Sequence, residues 1–283
     1  MSLHFIKVSA TGNDFILIDN RSGTWSAERD AAFFSRLCRH HESIGADGVI
    51  LLESSTRADF RYVHINADGS IAGMCGNGSR AIAWFARRLG LGSKNLSFEI
   101  SGRLYQARVE GLQVTTRMLP PGEIDLDRDA ASQRGWRSGG FIDTGVPHYV
   151  ILVPDVRQVD IAREGPFFRY HPLFPAGANA DFVEIVAPHH LRVRTWERGV
   201  EGETLACGTG AMAAALLCHR RGLAVAPVHL DFPGGRLTID FNTELSKITL
   251  SGMIDPVYEG ELFADHHGSP TTAPRTMNPH PGA

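Results

Sequence analysis

Lysine is scarce in this chain of 283 residues. The chain has 28 basic residues, and its only lysines are Lys7, Lys94 and Lys247. The other 28 − 3 = 25 basic residues are arginines. A pyridoxal phosphate enzyme holds its cofactor through a lysine Schiff base, so the chain offers few candidates for that chemistry.

Blocks of one charge and long apolar runs are also absent. The net charge is 28 − 31 = −3 with no basic cluster, which argues against nucleic acid and against an anionic membrane surface as partners. The longest apolar run covers residues 211–218 and is far too short to span a bilayer.

Cysteine is rare as well. The four cysteines, Cys38, Cys75, Cys207 and Cys218, are too few for a disulfide scaffold, so we predict free thiols in a reducing, cytoplasmic compartment. The N-terminal Met-Ser-Leu-His lacks the charged and apolar regions of a secretory signal.

What the chain does contain is typical of a globular protein. A hydrophobic content of 43% with 21% charged residues excludes wholesale disorder. The length is more than one ordinary core fills and favours two domains of about 140 residues each.

A repeat divides the chain into two copies. The segment Cys-Gly-Asn-Gly at Cys75 returns as Cys-Gly-Thr-Gly at Cys207, an offset of 207 − 75 = 132. A looser echo relates residues 12–15 to residues 178–182.

The same register continues upstream of the cysteines. Residues 60–65 match residues 191–196, so Asn66 falls opposite Glu197. Because several landmarks keep one order in both copies, we predict a duplicated domain.

Each copy is predicted to contain strands followed by one buried helix. A glycine-rich turn opens a helix over residues 77–89 in the first copy and 209–221 in the second. Both helices are apolar on nearly all faces, so each must be surrounded by other elements. We therefore predict an α+β fold of two pseudo-symmetric duplicated domains, each a curved, mostly antiparallel sheet wrapped round a central apolar helix. The predicted strands are residues 15–19, 60–65, 182–186 and 191–196.

A Leu-Pro-Pro-Gly motif marks the boundary between the copies. We predict an N-terminal domain over residues 1–119, joined by part of 254–264, and a C-terminal domain over residues 120–253. Residues 265–283 are rich in Pro and Thr and are predicted to form a disordered tail.

Each copy places a cysteine directly before its helix. There the backbone N–H groups and the helix dipole favour an anion, which is expected to lower the thiol pKa. Two such helix starts facing each other across a cleft would supply a base on one face of a carbon and an acid on the other. Inversion of an α-amino acid needs this arrangement, and free amides beside the glycines would stabilise the charge that develops, without a pyridoxal cofactor.

At these residues the sequence resembles the diaminopimelate epimerases, a cofactor-independent family, from about residue 5 to residue 263. The resemblance implies an isomerase that interconverts LL- and meso-diaminopimelate in lysine and peptidoglycan-precursor biosynthesis, acting as a cytoplasmic homodimer on a small amino-acid substrate. The motifs that carry it are Gly12-Asn-Asp-Phe15, Asn66-Ala-Asp-Gly-Ser70, Cys75-Gly-Asn-Gly78, Gly145-Val-Pro-His148, Gly177-Ala-Asn179, Glu197-Arg-Gly199, Glu203-Thr-Leu-Ala-Cys-Gly-Thr-Gly210 and Pro233-Gly-Gly235.

The resemblance also implies roles for individual residues. Cys75 and Cys207 would be the catalytic proton-transfer residues, one on each face of the substrate carbon. His148 and Glu197 would flank the two thiols and tune or orient the reacting centre. The implied substrate contacts are Asn13, Asn66, Gly76, Asn77, Asn179, Glu197, Arg198, Gly208 and Thr209.

Two positions depart from the pattern of the family. After Asp47 the family commonly carries Gln, where this chain has Gly48, and within Gly-x-Pro-His it commonly carries Asn, where this chain has Val146. Both usual residues belong to the pocket that grips the far end of diaminopimelate, so recognition there must differ or use water. The alternative function is therefore a racemase or epimerase of a different amino acid with the same two-thiol mechanism.

Other interpretations of these motifs are weaker. The glycines after Cys75 and Cys207 fit a dinucleotide-binding pattern, but no predicted strand runs directly into them. A dithiol redox protein would show a local Cys-x-x-Cys, whereas 207 − 75 − 1 = 131 residues separate these two. A catalytically inactive binding domain would not require a cysteine at the same position before both helices. The histidines lack metal-ligand spacing, so no metal site is predicted.

Overall fold

The structure, a computed structural model, describes residues 2–136 and 138–263. The α-helices in these ranges are α1 (Ala31–Cys38), α2 (Gly76–Arg88), α3 (Ile161–Arg169) and α4 (Gly208–Arg220), and two short 3-10 helices cover Ala131–Arg134 and Val156–Gln158. The strands are β1 (Ser2–Ala10), β2 (Asn13–Asp19), β3 (Gly48–Glu53), β4 (Phe60–Asn66), β5 (Ile71–Ala72), β6 (Asn95–Ile100), β7 (Arg103–Glu110), β8 (Gln113–Met118), β9 (Ile124–Asp125), β10 (Ser138–Asp143), β11 (Pro147–Leu152), β12 (Asn179–Ala187), β13 (His190–Glu197), β14 (Gly202–Thr204), β15 (Val228–Phe232), β16 (Gly235–Phe241), β17 (Ile248–Met253) and β18 (Asp255–Phe263).

The two halves of the chain repeat one strand order. In the first half the pairs β1–β2, β3–β4, β6–β7 and β7–β8 are antiparallel, whereas β2–β3 and β4–β6 are parallel. In the second half β10–β11, β12–β13, β15–β16 and β16–β17 are antiparallel, whereas β11–β12 and β13–β15 are parallel. The predicted α+β fold with two repeated, mostly antiparallel halves is confirmed.

Helices α2 and α4 form the centres of the two halves. Of the 13 residues in each helix, 11 are buried in α2 and 10 in α4, so both helices are covered on all sides, as their apolar patterns predicted. Their many alanines let the surrounding strands approach closely. Each helix begins and ends one residue before its predicted limits.

Both central helices end in the same way. Gly90 after α2 and Gly222 after α4 have φ values of 80° and 72°, a region where a side chain would be strained. The amide of each glycine and the amide of the next residue, Leu91 or Leu223, bond back to carbonyls of the last helical turn. This pair of hydrogen bonds is the Schellman motif, in which a glycine with positive φ ends the helix.

The strand pairing corrects one part of the predicted repeat. In the pair β2–β3 Phe15 lies opposite Gly48, and in the equivalent pair β11–β12 His148 lies opposite Asn179. The segment that ends at Phe15 therefore corresponds to the segment that ends at His148. Its predicted echo in residues 178–182 is wrong, because those residues open the following strand. The true offset, 148 − 15 = 133, also agrees with the 132 between the cysteines.

The halves join through two further strand pairs. Strand β17 pairs with β8, and β18 returns to pair with β1, so the strands form one continuous sheet. The predicted domain limits at residues 119 and 253 stay predictions, and the predicted tail at 265–283 lies outside the described residues. None of the helices in the described ranges combines the length and the apolar content that a membrane crossing requires.

Candidate active site

The N-termini of α2 and α4 approach each other between the two halves. A Cβ atom built on Gly208 would lie 3.4 Å from the Cα of Gly76, and one built on Gly76 would lie 3.5 Å from the Cα of Gly208. Either Cβ would also lie 3.0 Å from the side chain of Leu250. A side chain at either position would crowd Leu250, so glycine fits both helix starts at this junction.

Cys75 and Cys207 are the N-cap residues of these two helices. The Sγ of Cys75 accepts a hydrogen bond from the Gly78 amide at 3.5 Å, and the Sγ of Cys207 accepts one from the Gly210 amide at 3.4 Å. In each helix the first intrahelical bond runs from the fourth helical residue to the carbonyl of the cysteine. The amides of the first two helical residues therefore have no acceptor within the helix and can bind an oxyanion.

A hydrogen-bonded chain leads from Cys207 into the core of the second half. The Oγ1 of Thr209 lies 3.4 Å from the Sγ of Cys207 and 3.0 Å from the Nε2 of His148. The Nδ1 of His148 lies 2.7 Å from one carboxylate oxygen of Asp181, and the Thr195 hydroxyl donates to the other at 2.7 Å. The carboxylate keeps the proton of a neutral His148 on Nδ1, which leaves Nε2 free to accept. The chain can thus draw a proton from the Cys207 thiol through the Thr209 hydroxyl.

Among the described residues of the first half, the equivalent positions form no counterpart of this hydrogen-bonded chain. Phe15 occupies the position that His148 has in the second half, and Asn77 occupies that of Thr209. Neither an imidazole nor a carboxylate relay therefore serves Cys75 from these positions, and the two thiols are chemically unequal.

A buried arginine instead organises the polar groups beside Cys75. Arg80 donates to the Asn77 side-chain oxygen at 2.8 Å and to the Thr11 hydroxyl at 3.0 Å. Burial lowers the pKa of Arg80 to about 10, so the guanidinium stays charged at neutral pH. Asn77 donates to Asn13, and Asn13 donates to Asp47 at 3.1 Å. The structure thereby brings the predicted contacts Asn13 and Asn77 together.

Burial raises the pKa of both thiols. The pKa of Cys75 lies above its usual value because removal from water outweighs the hydrogen bond from the helix start. Burial also raises the pKa of Cys207 well above its usual value, and the Glu197 carboxylate adds to the rise at both thiols. The expected lowering of the thiol pKa is therefore wrong in this structure, because desolvation is the larger effect. Glu197 lies within electrostatic reach of both sulfurs.

A cavity of about 790 Å³ opens beside Cys75. Its lining includes five of the predicted site residues, Asn13, Asn66, Cys75, Glu197 and Arg198. Burial raises the pKa of Glu197. The size and the mixed polar lining fit a small amino acid with a second polar end.

Asn179 lies behind this cavity and connects its wall to the buried histidine. Its Oδ1 accepts from the Arg198 backbone amide at 2.7 Å, and its Nδ2 donates to the Pro147 carbonyl at 3.1 Å and lies 3.3 Å from the Nε2 of His148. The Arg198 guanidinium donates to the Ala176 carbonyl at 3.1 Å. These bonds give Asn179 a positioning role for Arg198 in addition to its predicted substrate contact.

The remaining predicted contacts lie at the helix starts. Gly76 and Gly208 are buried at the point where the helices meet, whereas Thr209 is half-buried and lines a second cavity of about 590 Å³. Val146, one of the two residues that depart from the family pattern, lines that second cavity.

Several residues of the site were not among those predicted from the sequence. These are Asp181, which bonds to His148, Thr195, which donates to Asp181, and Arg80, which donates to Asn77, and all three are fully buried. Asp181 and Arg80 each carried a signal, a charged residue directly beside apolar neighbours in a strand or helix, because a buried charge needs a partner.

Comparison with known proteins identifies sequence relatives. The family model described as diaminopimelate epimerase matches residues 5–118 and 140–258. A diaminopimelate epimerase of Chlorobaculum tepidum is 42% identical over 261 residues, covering 90% of this chain and 99% of the relative. One of Aquifex aeolicus is 38% identical over 273 residues, covering 92% and 98%.

Solved structures of other proteins share the fold. A phenazine biosynthesis protein of the PhzF family from Bacillus anthracis superposes with a TM-score of 0.72 at 15% identity, covering 93% of this chain and 99% of that one. A hydroxyproline epimerase from Agrobacterium vitis superposes with a TM-score of 0.59 at 17% identity, covering 92% of each chain. At such low identity these likenesses concern the fold alone.

Proposed function

The chain belongs to the diaminopimelate epimerase family, and we propose that it interconverts LL- and meso-diaminopimelate by exchanging protons between two thiols and the substrate α-carbon. The observation that carries the proposal is the meeting of two helix starts, each capped by a cysteine, beside a cavity of amino-acid size. The alternative, an epimerase of another amino acid, is not favoured, because the relatives that cover nearly the whole chain are named for diaminopimelate.

The proposed reaction uses one thiolate and one thiol. The thiolate of one cysteine removes the α-proton from its face, and the thiol of the other returns a proton to the opposite face, so no proton is gained or lost overall. After one turnover the two sulfurs have exchanged protonation states. Cys75 and Cys207 then stand ready for the reverse reaction.

The helix starts supply the stabilisation that this step needs. Negative charge grows on the substrate carboxylate as the α-proton leaves, and the amides of Gly76, Asn77, Gly208 and Thr209, which have no acceptor within their helices, can bind it. The two helix dipoles add a favourable field at the same place.

His148 and Glu197 affect the thiols in different ways. His148 reaches Cys207 through Thr209 and can hold its proton while the thiolate attacks. Glu197 raises the pKa of both thiols, which makes each thiolate a stronger base for a weakly acidic α-proton.

The substrate's far end would lie in the cavity beside Cys75. Asn66 and Arg198 line it, and Arg198 offers a charge-assisted hydrogen bond to a carboxylate. The product would enter lysine and peptidoglycan-precursor biosynthesis. The predicted homodimer and cytoplasmic location stay predictions.

The proposal is tested by incubating the protein with LL-diaminopimelate in D₂O. Early in the reaction, meso-diaminopimelate should form with one deuterium at the inverted α-carbon, as detected by mass spectrometry and NMR. A Cys75→Ala/Cys207→Ala double variant is the matched control and should give neither product nor exchange. Failure of the unmodified protein to exchange any α-proton would overturn the proposed function.

A further inference from the structure

His64 is a buried histidine that the reaction described above does not use. Its side chain is 6% exposed, and neither ring nitrogen has a hydrogen-bond partner among the described residues. The ring packs edge-on against Phe15 and Tyr62, with centroid distances of 5.6 and 6.0 Å. A buried polar ring without a partner is costly unless a ligand or water completes its bonds.

The ring borders the substrate cavity. His64 lines the cavity of about 790 Å³ together with Cys75 and Asn66, and it also lines a neighbouring cavity of about 530 Å³. Asn66 follows His64 by two positions on β4, so both side chains leave the strand on the same face. The unpartnered imidazole thus lies beside a predicted substrate contact on the same face of β4.

Gly48 makes room for this ring. A Cβ built on Gly48 would lie only 2.7 Å from the Nε2 of His64 and 2.8 Å from the Ile65 carbonyl oxygen. Any other residue at position 48 would displace the imidazole or the backbone. Gly48 and His64 therefore form a matched pair: the Nε2 of His64 occupies the space that a side chain at position 48 would need.

The charge around the ring favours one kind of ligand group. Burial lowers the pKa of His64 to about 4, so the imidazole is neutral at pH 7 and one of its nitrogens can accept a hydrogen bond. Five acidic side chains, those of Asp14, Asp47, Asp68, Glu197 and Glu203, line the same cavity, and Lys7 pairs with Asp14. An acidic wall with a neutral acceptor suits a cation.

We propose that His64 is a specificity-determining residue, whose imidazole accepts a hydrogen bond from the distal ammonium group of the substrate. This inference rests on the proposed function, because diaminopimelate carries such a group at its far end. Arg198, which lines the same cavity, then takes the distal carboxylate. Together the two residues recognise the distal end of the substrate, His64 through its ammonium group and Arg198 through its carboxylate.

The first test compares two substitutions of the same ring. His64→Phe keeps a planar ring of similar size and removes both nitrogens, so KM for LL-diaminopimelate should rise about tenfold to a hundredfold while kcat changes little. His64→Gln places an amide near the same point and should recover KM to within a few fold. His171→Phe is the matched control, since His171 is also 6% exposed but lies outside the cavity. A merely structural role for His64 predicts no rescue by Gln.

The second test removes the distal ammonium from the ligand. L-2-aminopimelate keeps both carboxylates but lacks the second ammonium, so its inhibition constant against the unmodified enzyme and against His64→Phe should agree within twofold. If His64→Phe weakens the binding of this compound as much as it raises KM for LL-diaminopimelate, the assignment to the ammonium is overturned. An unmodified enzyme that turns over LL-diaminopimelate beside a His64→Phe variant with unchanged KM overturns the role of His64 alone. An unmodified enzyme without turnover overturns the proposed function as well.

Discussion

The buried Asp181–His148 pair is expected to set how readily Cys207 exchanges its proton, and Asp181→Asn tests this. The substitution keeps the shape of the side chain and removes its charge. In the present structure the carboxylate accepts two hydrogen bonds of 2.7 Å, from His148 and from Thr195. Without the negative charge, His148 loses the group that stabilises it when it takes a proton.

The size of the effect follows from the bonds that are changed. A hydrogen bond to a charged group contributes about 1.5–3 kcal/mol, and each 1.36 kcal/mol changes a rate tenfold. We therefore expect kcat to fall about tenfold to a hundredfold with little change in KM, because Asp181 does not line the substrate cavity. The loss in kcat/KM must be equal in both directions, since no variant can move the equilibrium between the epimers.

The assay combines initial rates with deuterium uptake. In D₂O the Cys75 side of the reaction stays intact, so one epimer should exchange its α-proton faster than it is inverted, and the other should not. Asp231→Asn is the control for the loss of a histidine-bound carboxylate elsewhere, because Asp231 lies 2.6 Å from His190 in a partly exposed pair outside the site. An unchanged kcat, or a loss that appears only in KM, would refute the chain of proton transfer through Thr209.

Two further predictions concern the thiols themselves. Because the pKa of each thiol is raised, little thiolate exists at neutral pH, and kcat/KM should increase as the pH rises from 7 towards 9; a flat or falling profile would contradict the raised pKa values. Under oxidant the empty enzyme should lose activity and regain it with dithiothreitol, with Cys75 and Cys207 linked in peptide maps, whereas a link between Cys38 and Cys218 would show that the site is misplaced.

The central features of the fold were predictable because they repeat. Two apolar helices with a cysteine before each and a glycine after each appear at one offset, and the structure places them within a residue of their predicted limits. A local pattern of this kind depends on few distant contacts. Asn66 and Glu197 were predictable for the same reason, because the repeat aligns them. Both lie at the ends of equivalent strands beside the cavity.

Features that depend on pairing between distant strands were not predictable in the same way. Asp181 meets His148 across 33 positions because β11 and β12 run parallel, and the pattern of neither strand indicates that register. The thiol pKa values depend on how completely the folded halves exclude water, which outweighs the helix starts that the sequence does show. The Gly48–His64 pair likewise becomes visible only when β3 lies beside β4.

The most direct test of the two-thiol mechanism is deuterium uptake by single cysteine variants. Cys75→Ala and Cys207→Ala should each abolish interconversion of LL- and meso-diaminopimelate, because each removes the proton carrier of one face. Each variant should still exchange the α-proton of one epimer, and the two variants should act on opposite epimers. Near-normal epimerisation by either variant, or exchange of the same epimer by both, would contradict the mechanism.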